Sequence, residues 1–478
     1  MGYQLLGCWY LPRGGSTIGE LANHSESVIL FTEARIWEAI DKSKETTLKA
    51  VISVDDFSVL YAADETLAER VAAEQAKMPK VYPAEQKNEV SDYKIGDIND
   101  LAIINYTSGT TSSPKGVMLT AKSLSANVEI ARVLVPMAVS SPDATLSILP
   151  LAHIFGLAFD FLFMASCGCH INIFTEKPVP ARLLKALGEV KPFIFLTVPL
   201  LIEKIFRSKV IPTLRKPVMK FLLAIPGVRQ LIFRKVRNTI IDTFGGNLAK
   251  AGFFIGGAAI SNDVDKVMKK IKIPYAVGYG MTECGPLISY VASAHPSIDD
   301  IGGVAKPTIE LRIDSDRPNK IPGEIQVRGD VVTKGYYNNE EATRNAFTRD
   351  GWLKTGDMGT QDRRGTVYIK GRCKNMILTG SGQNIYPEEI EEMINQIPGV
   401  VESLVVGRNH AIIALIVVDT EVAKREKLSL EALQETINEN VIALNKNLPP
   451  YSQIGRCEFR TEPFEKTPKL SIKRFMYN

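Results

Sequence analysis

Short apolar runs and stretches of helical period alternate through the first three hundred or so residues of this 478-residue chain. Apolar runs bounded by turn residues predict strands at the end of Leu21–Phe31 and at Leu101–Tyr106, Ala144–Pro150, Ala251–Ile255 and Ile273–Val277. Helical spacing predicts helices at Ile36–Ile40, 64–77 and Ser123–Val133. Strands that alternate with helices imply a largely parallel sheet, with ligands beyond the carboxyl ends of its strands. We therefore predict an α/β fold of mainly parallel sheets flanked by helices, with Leu101–Tyr106 as a buried strand.

The pattern changes near residue 301. Between residues 301 and 371, glycine turns separate short β-prone runs such as Glu324–Arg328, which predicts a small antiparallel or β-barrel-like subdomain. The remaining residues predict a compact α+β unit with helices at Pro387–Ile397 and Leu430–Asn445 and strands at Ser403–Val406 and Ala411–Val418. These patterns divide the chain into an N-terminal domain, residues 1–371, and a C-terminal domain, residues 372–478.

The composition is that of a globular protein, with 45% hydrophobic and 23% charged residues. The net charge of +4 gives no nucleic-acid signature, and no zinc-finger or ribonucleoprotein motif is present. Cys167 and Cys169 are clustered but lack the second ligand pair that a metal site needs. Residues 154–174 form the nearest approach to a membrane span, but Asp160 and His170 favour a buried helix and strand. Without a secretory signal or a disulfide framework, we expect a cytoplasmic protein.

A basic segment runs from Lys204 to Arg237, with ten basic residues and no acidic one. Pro212, Pro217 and Pro226 divide it into short helices, and most of the interleaved residues are aliphatic. Cationic, apolar helices fit a surface that lies on anionic lipid, here on the inner face of a membrane. The alternative is a solvated basic face packed on the domain. Nucleic acid fits less well, because few aromatic side chains are available for stacking.

A polar loop follows the strand predicted at Leu101–Tyr106. Its small residues, hydroxyls and single lysine can offer backbone N–H groups and a fixed cation to a polyphosphate. It is not a Walker A loop, because no glycine precedes Lys115 and no serine or threonine follows it. Taken alone, such a loop is more often a polar surface loop, and only matching pieces downstream favour phosphate binding. Its candidate residues are Thr107, Ser108, Gly109, Thr110, Thr111 and Lys115.

Further candidates follow other predicted strands. Glycines in Gly256–Ala258 and Gly278–Glu283 allow a ligand close to the backbone, and Tyr279 can stack on a base. In the second stretch, Thr282 and Glu283 can hold phosphate and Mg²⁺. Asp357 is either a turn residue or an acceptor for both hydroxyls of a ribose. His153 is either a satisfied core residue or a residue that faces a substrate.

Six stretches together closely resemble, in order, the motifs of the adenylate-forming superfamily of acyl- and aryl-CoA synthetases, peptide-synthetase adenylation domains and luciferases. They are Tyr106–Gly116, Pro150–Gly156, Gly256–Ala258, Gly278–Glu283, Lys354–Asp357 and Gly371–Glu391. The basic segment, Tyr336–Asn338 and Gly382–Glu391 look most like the long-chain fatty acyl-CoA synthetase branch. The resemblance implies that a fatty acid reacts with ATP to give an acyl-adenylate, and that CoA then takes the acyl group.

The resemblance also implies roles for the matching residues. The loop from Ser108 to Lys115 would hold the β- and γ-phosphates, with Thr110, Thr282 and Glu283 at phosphate and Mg²⁺. Asp357 and Arg372 would hold the ribose, His153 would gate the acyl and pyrophosphate regions, and Lys374 would be the hinge of a mobile C-terminal domain. The residues that would line the adenine and acyl pocket, or bind the nucleotide beside it, are Gly257, Ala258, Tyr279, Gly280 and Met281.

The chain departs from the family pattern in three places. Ser112 stands where the family usually has glycine. Ser471 stands where the family's adenylating lysine is expected, three residues before an arginine; Lys469 or Lys473 can reach the same oxygen, and we favour Lys473. The resemblance also begins abruptly around Leu11–Ser27, as if the family's first strands and helix were absent.

The leading hypothesis is an AMP-forming long-chain fatty acid–CoA ligase, with fatty acid, ATP, Mg²⁺ and CoA as its partners and no nucleic acid. One alternative is an adenylate-forming ligase for another carboxylic acid. A second is an inactive, membrane-associated nucleotide- or acyl-binding homologue, which the shortened start and Ser471 motivate.

Overall fold

The computed structural model describes most of the chain, and the fold is given for the described residues. These are residues 5–7, 15–44, 47–81, 96–107, 114–135, 143–175, 179–249, 251–292, 300–304, 308–378, 383–408, 411–466 and 472–477. No helix in these ranges combines the length and the apolar character needed to cross a membrane.

The predicted helices are present with small shifts at their ends, together with others that the sequence analysis did not predict. They are α1 (Gly15–His24), α2 (Ala34–Ala39), α3 (Glu65–Val81), α4 (Ala121–Leu134), α5 (Met164–Ser166), α6 (Pro180–Val190), α7 (Pro199–Ile205), α8 (Ile211–Arg215), α9 (Pro217–Ala224), α10 (Val228–Thr243), α11 (Asn262–Ile271), α12 (Glu340–Ala346), α13 (Pro387–Ile394), α14 (Thr420–Glu426) and α15 (Leu430–Asn445). Two π-helical stretches, Gly156–Phe163 and Phe206–Val210, precede α5 and α8.

The strands are short, and each predicted strand has a counterpart among them. They are β1 (Leu5–Gly7), β2 (Ile29–Thr32), β3 (Ala50–Ser53), β4 (Val59–Ala62), β5 (Leu101–Thr107), β6 (Lys115–Thr120), β7 (Ala144–Ser147), β8 (His170–Ile173), β9 (Ile194–Thr197), β10 (Gly252–Gly256), β11 (Tyr275–Gly280), β12 (Leu287–Ala292), β13 (Asp300–Val304), β14 (Ile309–Asp314), β15 (Gly323–Gly329), β16 (Leu353–Gln361), β17 (Val367–Arg372), β18 (Ile377–Leu378), β19 (Asn384–Ile385), β20 (Val400–Arg408), β21 (Ala411–Val418) and β22 (Ile454–Arg460).

The chain divides into two compact units. Unit 1 comprises Met1–Lys177, Thr282–Pro286 and Asp330–Asn345. Unit 2 comprises Pro178–Met281, Leu287–Gly329 and Ala346–Asn478. The domain boundary near residue 371 and the hinge at Lys374 stay predictions.

Unit 1 begins with a small sheet in which β1, β2 and β3 are parallel and β4 is antiparallel to β3. Helices α1 and α2 pack on it, and their apolar residues Ile18 and Trp37 join Leu30 and Val51 of the strands in one buried cluster. Strands β7 and β8 form a second parallel pair. These parallel pairings agree with the predicted fold class.

Strands β5 and β6 form a separate antiparallel pair, and here one prediction was wrong. The side chains of β5 are half-buried or exposed, so the predicted buried strand at Leu101–Tyr106 is not buried. The buried side chains are on the partner strand β6, where Val117 and Leu119 form a buried cluster with Ile154. An apolar run predicts a strand, but only the packing decides which of two paired strands is covered.

The predicted helix and strand within residues 154–174 are present, although the two differ in burial. The π-helical stretch buries Phe159, Asp160 and Phe163, as predicted. Strand β8 is not buried, and its end residues His170 and Ile173 are exposed, so that part of the prediction was wrong. Oδ2 of the buried Asp160 accepts a hydrogen bond from Ser147 at 3.1 Å, and Oδ1 has no hydrogen-bond partner in the described residues.

Replacing Asp160 with asparagine is expected to remove a pH-dependent loss of stability. Burial raises the pKa of Asp160 to about 7, against the opposing hydrogen bond from Ser147. The folded state therefore binds a proton more tightly than the unfolded state, and the residue's contribution to stability falls as the pH rises from about 4 to 7. Each unit of pKa shift corresponds to about 1.4 kcal/mol. The free energy of unfolding of the variant, relative to that of the wild type, should therefore rise by a few kcal/mol between pH 5 and pH 8. Thermal melting at both pH values measures this; Asp55→Asn, an exposed carboxylate, should show no such gain.

Unit 2 contains a row of nine strands in the order β14, β15, β16, β17, β13, β12, β11, β10, β9. Strands β9, β10 and β11 are parallel, as the alternation of strands and helices predicts. From β12 onward the pairings are antiparallel. Residues 301–371 thus contribute open antiparallel strands in their described part, and the barrel-like alternative was wrong.

The end of unit 2 is the predicted α+β arrangement. Strand β21 is antiparallel to β20 and parallel to β22. Helices α13 and α15 place Ile390 and Ile437 in one buried core with residues of these strands, such as Val405 and Ile416.

Candidate functional site

The carboxyl ends of β10 and β11 bring two predicted stretches together in unit 2. Gly256 is the register partner of Gly278, so Gly257 and Ala258, which follow β10, lie at the same sheet edge as Tyr279 and Gly280 of β11. Gly257 has a φ of +90°, a conformation that side chains disfavour. Gly257, Ala258 and Gly280 are exposed, which leaves this edge open to a ligand. Met281 follows directly and is half-buried.

A polar cluster on β11, β16 and β17 adjoins this edge. The Tyr279 hydroxyl donates to Asp357 Oδ2 at 2.6 Å, and Arg372 Nε lies 2.9 Å from Asp357 Oδ1. Asp357 and Arg372 are register partners on β16 and β17, which fixes the pair through the backbone. The Tyr279 ring packs against the buried residues Ile313, Ile325 and Val367, so its hydroxyl is held in place.

The Asp357 carboxyl is nearly buried, with 6% of the residue exposed, whereas 58% of the Arg372 side chain is exposed. Burial raises the pKa of Asp357, and the Arg372 charge and the Tyr279 hydrogen bond oppose that rise. Burial, with the nearby Asp357 charge, also raises the pKa of Tyr279 well above its usual range. The cluster therefore combines a fixed acceptor, a neutral hydroxyl and a cation that reaches solvent.

In unit 1, strands β5 and β6 hold the ends of the polar loop together, because Thr107 and Lys115 are register partners. Ser108, Gly109, Thr110, Thr111 and Ser112 lie outside the described residues. Lys115 Nζ lies 5.1 Å from the centroid of the Tyr336 ring. The Tyr336 hydroxyl donates to Glu283 Oε1 at 2.8 Å. Tyr336 thus connects the lysine of the loop to the Thr282–Cys284 turn.

Sequence reasoning did not assign Tyr336 this position. It lies more than two hundred residues from Lys115, and only tertiary contacts bring the two together. Backbone hydrogen bonds hold its segment on β6, from Met118 N to Gly335 O at 2.9 Å and from Tyr337 N to Gly116 O at 2.8 Å. Burial, followed by the charge of Glu283, raises the pKa of Tyr336, so the hydroxyl stays a donor at neutral pH.

Replacing Tyr336 with phenylalanine or with leucine should separate its two contacts. Phenylalanine keeps the ring near Lys115 but removes the donor to Glu283, while leucine removes both. For the ATP-dependent reaction that the family resemblance implies, we expect about a tenfold loss of turnover for Tyr336→Phe, from one hydrogen bond to a charged group. We expect about a further fivefold loss for Tyr336→Leu, from the lost cation–π contact. Steady-state kinetics at several Mg²⁺ concentrations measure both steps. Equal losses in the two variants would contradict a role for the ring.

His153 is exposed, so it is not the satisfied core residue that one interpretation predicted. The turn that contains His153 is anchored to β5, because Asn105 Nδ2 donates a hydrogen bond to Ala152 O at 2.8 Å.

The remaining predicted residues lie on the C-terminal part of unit 2. Lys374 is exposed in the turn Cys373–Asn375 that follows β17. Lys473 Nζ lies 3.0 Å from Glu465 Oε2, and its backbone N–H donates to Glu465 O at 2.8 Å. Lys469 and Ser471 lie outside the described residues.

Within the described ranges, no three His, Cys, Asp or Glu side chains are grouped so that they could hold a metal ion. Glu283 and Thr282 supply one carboxylate and one hydroxyl in a single turn. This set fits Mg²⁺ that is held partly by substrate phosphates, because Mg²⁺ uses one or two carboxylates together with such oxygens.

Parallel strands with glycines and a polar cluster at their carboxyl ends define this chain as an α/β protein with a candidate ligand site at that edge. A model of the AMP-binding enzyme family matches residues 14–337, and a model of the AMP-binding enzyme C-terminal domain matches residues 374–477. The chain therefore belongs to the AMP-binding enzyme family, as the sequence motifs predict.

The chain is similar in sequence to two long-chain-fatty-acid–CoA ligases. It is 32% identical over 349 residues to long-chain-fatty-acid–CoA ligase FadD15 of Mycobacterium bovis, covering 67% of this chain and 55% of the relative. It is 29% identical over 484 residues to long-chain-fatty-acid–CoA ligase 5 of Rattus norvegicus, covering 91% of this chain and 68% of the relative. The match thus spans little more than half the length of FadD15.

Solved structures share the fold. ATP-bound MatB from Rhodopseudomonas palustris aligns with a TM-score of 0.70 at 23% identity, over 97% of this chain and 81% of that one. O-succinylbenzoate coenzyme A synthetase from Bacillus subtilis, in complex with ATP and magnesium, aligns with a TM-score of 0.70 at 20% identity, over 97% of this chain and 82% of that one.

Proposed function

We propose that this protein is an AMP-forming ligase that activates a long-chain fatty acid with ATP and transfers the acyl group to CoA. The observation that carries the proposal is the Tyr279–Asp357–Arg372 cluster beside the glycine-rich ends of β10 and β11, in a member of the AMP-binding enzyme family. The long-chain preference draws its support from relatives named long-chain-fatty-acid–CoA ligases.

The first step joins two anions. A carboxylate oxygen of the fatty acid attacks the α-phosphorus of ATP, and the bond from that phosphorus to the pyrophosphate oxygen breaks. Fixed cations and N–H donors must screen the charge that builds up. Lys115 and the loop after Thr107 would contact the β- and γ-phosphates. Thr282 and Glu283, with Thr110 of the loop, would hold Mg²⁺, which supplies further charge neutralisation.

Asp357 would accept both ribose hydroxyls, while Gly257, Ala258, Tyr279, Gly280 and Met281 would border the adenine. His153, exposed on its turn, would separate the acyl region from the pyrophosphate. In the second step, the CoA sulfur attacks the acyl carbonyl and AMP leaves. A rotation of residues 372–478 about Lys374 would admit CoA.

Lys473 is our candidate for the cation that contacts the attacking or bridging oxygen. In the structure its ammonium is paired with Glu465, so it must leave that carboxylate to reach a nucleotide. We expect Lys473→Ala to slow acyl-adenylate formation at least 100-fold, as the loss of a cation at the developing charge does. Single-turnover assays of Lys473→Ala and Lys469→Ala distinguish the two lysines. Lys466→Ala, which removes a lysine paired with Glu402, is the matched control.

The proposed function is tested by ATP-dependent pyrophosphate release from the purified chain, with carboxylic acids from acetate to stearate and with aryl acids. Release that peaks with long chains, together with acyl-CoA formed only when CoA is present, is the expected result. A peak with short or aryl acids would replace the fatty acid by another substrate. ATP binding without release for any acid would overturn the enzymatic proposal in favour of an inactive homologue.

A further inference from the structure

Helix α9 is an apolar helix without a buried side chain. Six of its eight residues are apolar, namely Val218, Met219, Phe221, Leu222, Leu223 and Ala224. All eight lie in the described part of the chain, and none of them is buried. Val218 and Phe221 are 72% and 71% exposed. A helix of this composition normally covers a core, so its exposure points to a partner surface.

Helix α10 follows after the turn at Ile225–Gly227, packs against α9 and also carries an exposed apolar residue. Leu231 is 67% exposed. Arg234 and Lys235, three and four residues further on, lie on the same side of the helix and are also exposed. On α9, the exposed Lys220 adjoins Phe221. Exposed apolar side chains are thus bordered by cations on both helices.

Nearly all the positive charge of the basic segment is uncompensated. Nine of its ten basic side chains are exposed, and Arg237 is half-buried. Arg207 pairs with Asp263 at 3.0 Å. The other nine form no ion pair with any described residue, and the segment itself holds no acidic residue that could supply one.

We infer that α9 and α10 form a docking surface for an anionic lipid bilayer, with Val218, Phe221 and Leu231 entering the interface and Lys220, Arg234 and Lys235 contacting the headgroups. Amphipathic cationic helices bind such interfaces through buried apolar area together with attraction to anionic headgroups. This inference uses none of the residues of the proposed active site.

Charge complementarity selects this occupant over the others. A second copy of the chain, placed on this surface in a two-fold contact, would oppose the same cations across the interface without an acidic partner. Single-stranded nucleic acid is bound by stacking on aromatic side chains, and Phe221 is the one aromatic residue among the most exposed apolar positions named above. An anionic bilayer meets both the apolar and the cationic part of the surface.

The test is flotation of the full chain with vesicles of phosphatidylcholine alone or with 30% phosphatidylglycerol. We expect binding only to the anionic vesicles at low salt, and release at about 0.5 M salt, where screening is strong. Arg234→Gln/Lys235→Gln should lower the partition coefficient about tenfold or more. Lys266→Gln/Lys270→Gln, which removes two exposed cations from α11, is the matched control and should change it less than twofold.

The apolar contribution is tested separately with Val218→Ser/Phe221→Ser, which should lower partitioning about tenfold or more. Ile442→Ser, at an exposed position of α15, is its control. Failure to bind anionic vesicles at low salt, or equal binding of all variants, would overturn the inference. Sedimentation that shows a dimer lost in Val218→Ser/Phe221→Ser, without vesicle binding, would assign the surface to a second copy instead. Because flotation needs no ATP or acid, its outcome is independent of the proposed activity.

Discussion

Asp357→Asn is expected to raise the KM for ATP at least about 100-fold, because hydrogen bonds from two ribose hydroxyls to a carboxylate would contribute about 1.5–3 kcal/mol each. The substitution keeps the shape of the side chain and an acceptor for the Tyr279 hydroxyl. The exposed Arg372 remains solvated when its partner loses charge, so the variant should fold normally. A change mainly in KM is expected, since a ribose bound by Asp357 would be held alike in the ground state and the transition state.

Two controls make this expectation specific. Tyr279→Phe removes the 2.6 Å hydrogen bond but leaves the carboxylate, and should raise KM less than about tenfold. Asp350→Asn neutralises another carboxylate of unit 2, which pairs with Arg312 at 2.7 Å, and should leave KM unchanged. Calorimetric titration of ATP gives the same comparison without turnover. If Asp357→Asn binds ATP as tightly as the wild type, the ribose assignment is wrong.

The sequence carried enough information to predict the parallel core and the polar residues at its edge. Buried parallel strands are continuous apolar runs, as in β9 and β10. Glycines that directly follow such runs, including Gly257, were the signal for a ligand edge. Asp357 and Arg372 were paired by resemblance alone, and the register of β16 and β17 now supplies the physical reason for their contact.

What the sequence did not predict depends on long-range packing. Strand β5 is as apolar as a core strand, but its partner β6 takes the buried positions. The link between Lys115 and Glu283 passes through Tyr336, which no local pattern places beside either residue. The strands of residues 301–371 were recognised, but turns alone do not decide whether such strands close or stay open.

The same limit applies to Arg474, which the sequence marked only as a reference point for the missing lysine. In the structure it is largely buried and donates to Glu391 of α13, and its second nitrogen donates to Val405 O at 3.3 Å. Glu391 Oε1 accepts from Val405 N at 2.6 Å. One ion pair thus fastens the segment that carries Lys473 to a helix and a strand of the C-terminal core.

Arg474→Met is expected to destabilise this core by about 3–5 kcal/mol, because it leaves a buried carboxylate without its cation. Burial raises the pKa of Glu391 to about 7 even though Arg474 lowers it. Without Arg474 the pKa of Glu391 rises further. At pH 5 the carboxyl is neutral with or without Arg474, whereas at pH 8 the unpaired carboxyl must either bury a charge or take up a proton. The loss of stability should therefore be larger at pH 8 than at pH 5. Hydrogen exchange of residues 400–418, compared with wild type at each pH, should be faster by two to three orders of magnitude at pH 8.

The reason for this effect is the unpaired charge, and a second substitution isolates it. Arg474→Met/Glu391→Gln removes the charge while keeping an acceptor for Val405 N, so it should recover most of the lost protection and show little dependence on pH. Arg456→Met breaks an exposed pair with Glu458 on β22 and should cost less than about 1 kcal/mol. Slow acyl-adenylate formation by Arg474→Met, recovered in the double variant, would mean that the anchored segment positions Lys473. Equal protection in wild type and Arg474→Met at pH 8 would show that the pair does not hold the segment in place.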